Sequence, residues 1–275
     1  MNLVFRFRKA KKVLSVYGWR ELVFRIFRTL YRSIPTSIRL DLQKYMYRFK
    51  GYCGVGEPQR VYNVSPEKIE LSISRRDIGR KLSGFNIVGG NWDNEEVSKL
   101  EDSSIWIMLS SHFEEGFRWQ ETERYNSVVQ RIKEGEDVKG LDSPNQTVSK
   151  YRDYLAYLDK VYESIENEGY KDQRKLSYKE DFSKRKLHPS LNEIQVFIGR
   201  EGDIICESGI HRLCMAKILG IDEIPVRTQV RHKAWQKIRD EIFEASSVDE
   251  LSDKAKGHLD HPELQDIVPR EWKEE

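Results

Sequence analysis

Ile194-Gln195-Val196-Phe197-Ile198-Gly199-Arg200-Glu201-Gly202-Asp203-Ile204-Ile205-Cys206-Glu207-Ser208-Gly209-Ile210-His211-Arg212 carries the clearest structural signal in this chain. Its two apolar runs flank a turn bearing Gly and Asp, which predicts an antiparallel hairpin of Ile194–Ile198 and Ile204–Cys206. The period then changes. Leu213, Met215, Ala216, Ile218 and Leu219 recur at helical spacing, so a helix opens at Ser208-Gly209 and closes at Gly220. Ile224-Pro225-Val226-Arg227-Thr228-Gln229-Val230 predicts another strand, and Trp235, Ile238, Ile242 and Phe243 mark the helix after it.

A strand that passes through one glycine into a helix is built to hold phosphate. Glycine lets the backbone approach an anion, and the first-turn N–H groups, lacking partners inside the helix, point at it. His211 and Arg212 occupy that turn, where a positive side chain opposes the helix dipole unless an anion lies nearby. Arg212 can clamp phosphate oxygens through its fork of donors, and His211 can donate a hydrogen bond or move a proton.

On the N-terminal side of the hairpin, Tyr151, Leu155, Leu158, Tyr162 and Ile165 predict a helix over 149–168 with Gly169 as its C-cap. Helical patterns also cover about 95–116 and 120–134. Phe85 to Asp93 reads as a strand ending in the Gly89-Gly90 turn, and Arg60 to Ile73 as a strand and turn around Pro66. The Gly- and Pro-containing segment 51–58 reads as a linker. Past Ser246 the chain is charged, carries Pro262 and Pro269, and reads as a loosely held tail.

The first fifty residues stand apart by charge. They hold thirteen Lys and Arg against only Glu21 and Asp41, a net +11, while the remaining 225 residues carry a net −9. Leu3, Val4, Phe7, Ala10 and Leu14, then Trp19, Leu22, Val23, Ile26, Phe27 and Leu30, form apolar stripes at helical spacing among these cations. Pro35 breaks the run, and Ile38, Leu42, Tyr45, Met46 and Phe49 begin another helix. Such a basic amphipathic arm suits an anionic membrane surface, a nucleic-acid backbone, or packing on the body. No apolar run approaches the ~18 residues a membrane span needs, and no signal-peptide pattern is expected.

With 38% hydrophobic, 33% charged and 11% aromatic residues, the chain is too aromatic for disorder. Cys53, Cys206 and Cys214 are odd in number and show no CxxC spacing. That argues against a disulfide framework or a structural zinc site and for a reducing, cytoplasmic compartment.

Glu207 through Lys217, followed by Leu219-Gly220 and Ile224-Pro225-Val226, resembles the ParB/sulfiredoxin superfamily, whose members show a strand, a G-x-[HR]-R motif, a helix and an I-P-V strand. The resemblance covers about a third of the chain. It implies an α/β (α+β) fold: a small mixed sheet with packed helices, a long helical insertion and the basic helical arm. The domains are then 1–50, the arm; 51–245, the ParB/sulfiredoxin-like domain with an insertion at about 95–148; and 246–275, the charged tail. It also implies that Ser208, Gly209, His211 and Arg212 bind the phosphates of ATP or another nucleoside triphosphate, with Mg2+. A sulfiredoxin would place its nucleophilic cysteine where Ile210 stands, so sulfinic-acid reduction is not expected. Free-serine-kinase-like members share His at position 211.

Phosphotransfer needs a carboxylate to take the acceptor's proton and acids for the metal, and Glu207 and Asp93 are the candidates. Each has an ordinary alternative: a solvated strand end for Glu207, a helix N-cap for Asp93. Arg231 and His232, after the last strand, are candidates to bind substrate in the same pocket. His258 and His261 form an HxxH pair too common a pattern to indicate a metal. His112, amid Glu114, Glu115, Trp119 and Glu121, reads as a helix face meeting the Gly116 turn. The leading expectation is an ATP-type phosphotransferase or nucleotide hydrolase. A non-catalytic, nucleotide-gated module contacting DNA or membrane is the alternative, and a ParB-like nuclease, which lacks a clustered acidic metal site, ranks last.

Overall fold

The computed structural model describes residues 36–58, 60–73, 86–136, 138, 146–173 and 192–273. The helices expected within residues 1–35, and Phe85 at the head of an expected strand, lie outside the described residues. Seven strands form one mixed sheet: β1 (Val61–Val64), β2 (Leu71–Ile73), β3 (Asn86–Val88), β4 (Val97–Lys99), β5 (Ile194–Ile198), β6 (Ile204–Ser208) and β7 (Ile224–His232). Eight α-helices accompany it among the described residues. They are α1 (Thr36–Phe49), α2 (Trp92–Glu95), α3 (Ser104–Phe113), α4 (Glu123–Lys133), α5 (Val148–Glu168), α6 (Ile210–Ile218), α7 (Lys233–Glu244) and α8 (Asp253–Lys256). The protein is α/β of the mixed α+β kind.

The strand order is β1-β7-β5-β6-β2-β4, and β3 joins the far half of β7. β7 is buried along its whole length. One edge pairs antiparallel with β1 and then parallel with β3, and the other pairs parallel with β5. β5 and β6 form the expected antiparallel hairpin. These pairings set directions within the sheet. The C-terminal ends of β5 and β7 share the end of the sheet that holds the 199–203 turn. Ser208, at the C-terminal end of β6, lies at the opposite end with the N-termini of β5 and β7.

Strand alternation divides the core. Val196, Ile198, Ile204, Cys206, Ile224 and Val226 join the large cluster that also takes in residues of α3 to α7. Phe197, Ile205, Val230 and Ile73 form a small second cluster around Trp92. Ser103, Thr122 and Thr147 cap α3, α4 and α5 by accepting from the backbone N–H three residues on, which fixes where each begins. Gly169 ends α5 at φ +72° as its sequence predicts.

Three expectations are corrected. The helix read over 95–116 spans only Ser104–Phe113, because Val97–Lys99 pairs with β2 and Ser103 caps the shorter helix. The 51–58 segment is a strap rather than a linker. Val55 is fully buried, Arg239 donates to the Gly54 carbonyl and Arg231 to that of Val55. A Cβ at Gly54 would lie 2.5 Å from the Arg239 carbonyl oxygen, so only glycine lets the strap pass. The tail beyond Ser246 is not loosely held: Leu251, Ala255, Leu264 and Val268 are core residues, and Glu263 is fully buried. Among the described residues no helix is long and apolar enough to cross a membrane.

Candidate anion-binding loop

β6 delivers the chain into α6 through Gly209, whose φ of +86° and ψ of 18° lie in the left-handed region. A Cβ there would sit 2.9 Å from Ile194 Cγ1 and 3.2 Å from Ile194 Cα. Both the backbone sign and the close approach therefore demand glycine. Gly209, at the N-cap, offers α6 no side-chain cap. The first-turn N–H groups of α6 lack partners within the helix, and Ser208 beside them is exposed.

His211 and Arg212, being successive helical residues, diverge by about 100°. His211 turns toward α5, with Nε2 3.3 Å from the Tyr154 hydroxyl and the two rings edge-on at 5.9 Å. Burial first, then the positive charges of Arg124 and Arg212, push its pKa down to about 4. The imidazole is neutral near pH 7, and both charges acting on it are positive. Arg212 turns the other way and donates through Nη2 to the Asn192 carbonyl at 2.6 Å. Its Nη1 is buried, and its guanidinium meets the hydroxyl of neighbouring Tyr170. Burial raises the Tyr170 hydroxyl to about 12, against the opposing pull of Arg212 and with a push from Glu193.

The structure thus brings together Ser208, Gly209, His211 and Arg212, with Glu207 as the penultimate residue of β6. It adds residues that sequence reasoning missed: Arg124 of α4, Tyr154 of α5, Tyr170, Asn192 and Glu193. Arg124 and Tyr154 come from the insertion and the helix behind it, and nothing local ties them to a loop some 60 to 90 positions later. Glu193 is 1% exposed and directly precedes β5. A charged residue abutting a wholly buried strand start was the available signal. Burial raises the thiols of Cys206 and Cys214 beside the loop, the latter to about 12, so neither is a thiolate nucleophile at neutral pH.

Asp93, Arg231 and His232 are not part of this constellation. All three lie at the other end of the sheet, by the 199–203 turn. Asp93 is buried in the first turn of α2, where it accepts from the Arg200 backbone N–H at 2.7 Å and from its guanidinium. Burial raises its carboxyl, but the hydrogen bonds from Arg200 outweigh that and bring it below the ordinary carboxylate value. It is neither the N-cap, which is Asn91, nor within reach of the loop. Arg231 is 3% exposed and committed to Glu263 and the Val55 carbonyl. His232 caps α7 through Nδ1 and donates from Nε2 to the Gly90 carbonyl at 3.0 Å. His261 caps the turn after it and donates to the Gly202 carbonyl, and His258 and His261 both pack edge-on against Trp235. His112 stacks on Trp119 at 3.7 Å and pairs with Asp159. Among the described residues no group of three or more His, Cys, Asp or Glu is arranged to hold a metal ion.

The fold and the loop together define an α/β protein with an uncapped, cationic helix N-terminus. No family model matches the chain, and no curated protein or solved structure is found similar to it.

Proposed function

We propose that the loop Ser208–Arg212 binds the phosphates of a nucleoside triphosphate of the ATP type, and that the protein is a phosphotransferase or nucleotide hydrolase. The observation that carries this reading is the uncapped N-terminus of α6, entered through left-handed Gly209 and flanked by a neutral His211 on which only cations act. Phosphate oxygens accept from the first-turn N–H groups and from the Arg212 guanidinium. The Arg212 guanidinium, whose partners among the described residues are the Asn192 carbonyl and the Tyr170 hydroxyl, fits an oxygen-rich anion beside the loop. Glu207 and Glu193, the carboxylates nearest the loop in sequence, would hold the Mg2+ that accompanies such a polyphosphate, and the ion would neutralise part of its charge. Glu207 takes the proton of the acceptor hydroxyl or water. ATP chemistry and three free cysteines suit a cytoplasmic location, with the basic arm making any peripheral contact to a membrane.

The position of Asp93 favours a second reading, a nucleotide-gated module without turnover, because one of the two expected bases is held by Arg200 at the far end of the sheet. One experiment separates these readings. Titration of ATP, CTP, GTP and inorganic triphosphate against the protein, monitored by thermal shift, raises the melting temperature by mass action if the loop binds. Arg212→Ala and Gly209→Ala abolish most of that rise. An undiminished rise in both variants removes the loop assignment. Glu207→Gln keeps binding and loses turnover in the enzyme reading, whereas binding without turnover in the unmodified protein establishes the module.

A further inference from the structure

α1 is packed inside out. Its inward side is polar: Gln43 is buried, Lys44 pairs with Glu57, and the Tyr47 hydroxyl accepts from the Ile87 N–H at 3.1 Å. Its outward side carries Ile38, Leu42, Tyr45, Met46 and Phe49, exposed by 50%, 44%, 66%, 52% and 95%. At about 100° per residue these five fall within an arc of about 100°, a single continuous stripe. A helix that serves only the core does the reverse.

We infer that this stripe docks in the surface of an anionic lipid bilayer. Arg48 borders the stripe, and Lys50, just past the helix end with its ammonium over the Tyr47 ring, is also exposed; such cations let a helix sink its apolar face while its charges meet headgroup phosphates. The helix belongs to a segment, residues 1–50, with a net charge of +11, whereas the rest of the chain is net negative. The charge of that segment favours an anionic surface over a neutral one as what this helix meets. Length decides the mode. Fourteen residues span about 21 Å, short of the roughly 30 Å hydrocarbon core, so α1 lies in the interface plane. Phe49 and Tyr45, an apolar ring and an amphipathic one, enter first because they are the most exposed. α1 is anchored beside β3, on the far half of β7, away from the Gly209 loop. The docked face therefore lies away from the loop's end of the sheet, and the inference stands whether or not that loop binds nucleotide.

The test is co-sedimentation of the full chain with vesicles of phosphatidylserine and phosphatidylcholine, against vesicles of phosphatidylcholine alone. The protein sediments with the anionic vesicles and at least tenfold less with the neutral ones. Phe49→Ser weakens binding about tenfold. Arg48→Gln with Lys50→Gln weakens it roughly 25-fold, at about fivefold per cation near an anionic surface. Melting temperatures of these variants stay within a degree or two of the parent, since the altered side chains are exposed. Vesicle binding that ignores Phe49→Ser and Met46→Ser overturns the inference. So does absence of vesicle binding, whether the chain forms a dimer that Phe49→Ser dissociates or the same substitution lowers the melting temperature by uncovering a face its own chain had covered.

Discussion

Gly209 and His211 carry opposite kinds of information. At Gly209 the backbone is committed before any ligand arrives, by a left-handed φ and by Ile194 pressed against the space a Cβ would take. His211 instead responds to its surroundings. Burial, reinforced by Arg124 and Arg212, holds its pKa at about 4, so the free protein carries a neutral ring. A polyphosphate at the N-terminus of α6 offsets those cations and favours the imidazolium. In an NMR titration the midpoint of His211 is expected to rise by at least a unit on saturation with inorganic triphosphate, and an unmoved midpoint would sink the site. Stability depends on the same group. Because the folded value lies below that of the unfolded chain, the unfolded state takes up the proton first. The contribution of His211 to stability is complete above about pH 6.5 and falls as pH drops toward 4.

The β5–β6 hairpin shows how an element can lend its ends to different tasks. Its strands place Gly209 at one end of the sheet and Arg200 at the other, beyond the two ends of β6, which rises about 13 Å from Ile204 to Ser208. At the Arg200 end, Asp93 grips both the backbone and the guanidinium of the turn and thereby ties α2 to the sheet. Asp93→Asn is expected to destabilise the protein by roughly 1–3 kcal/mol, the cost of a weakened buried, charge-assisted contact, and to leave triphosphate affinity unchanged. Chemical denaturation alongside the titration checks both. A stable Asp93→Asn protein that no longer binds triphosphate would return Asp93 to the site. The Asp93 contact was not legible in the sequence, since 107 residues separate it from Arg200 and neither lies in a distinctive motif.

Across the whole molecule the tail is what locks the body. Glu263 accepts from Arg231, Arg239 and the Trp235 indole, while Asp266 takes the other face of Arg239. Burial alone pushes the Glu263 carboxyl up, but Arg231 and Arg239 outweigh it and bring it down to about 2. A lowered folded pKa means its contribution is full above the unfolded value near 4.5 and is lost as pH falls toward 2. Glu263→Gln leaves two buried guanidiniums without their shared carboxylate, so a loss of about 3–5 kcal/mol at pH 7 is expected. Melting temperatures measured from pH 7 to pH 3 should then decline less steeply below pH 5 in the variant than in the parent. Equal slopes would show that Glu263 is not the group that titrates.

Much of this chain is legible from its residues alone, wherever short-range physics is in control. The 194–212 hairpin and helix, Gly209 as the turn into α6, the Gly169 and Gly220 helix ends and the strand at 224–230 all come from period, β-branching and glycine placement. Those signals act within a few residues, where a side chain's own backbone preference outweighs anything distant. Which residues meet across the chain emerges only in the folded molecule: that Arg124 and Tyr154 bear on His211, that Asp93 and His232 serve the opposite end, and that α1 turns its apolar side outward. Each depends on strand direction and on partners tens to hundreds of residues away. Identical local patterns are compatible with many such pairings, and only packing the whole core selects one.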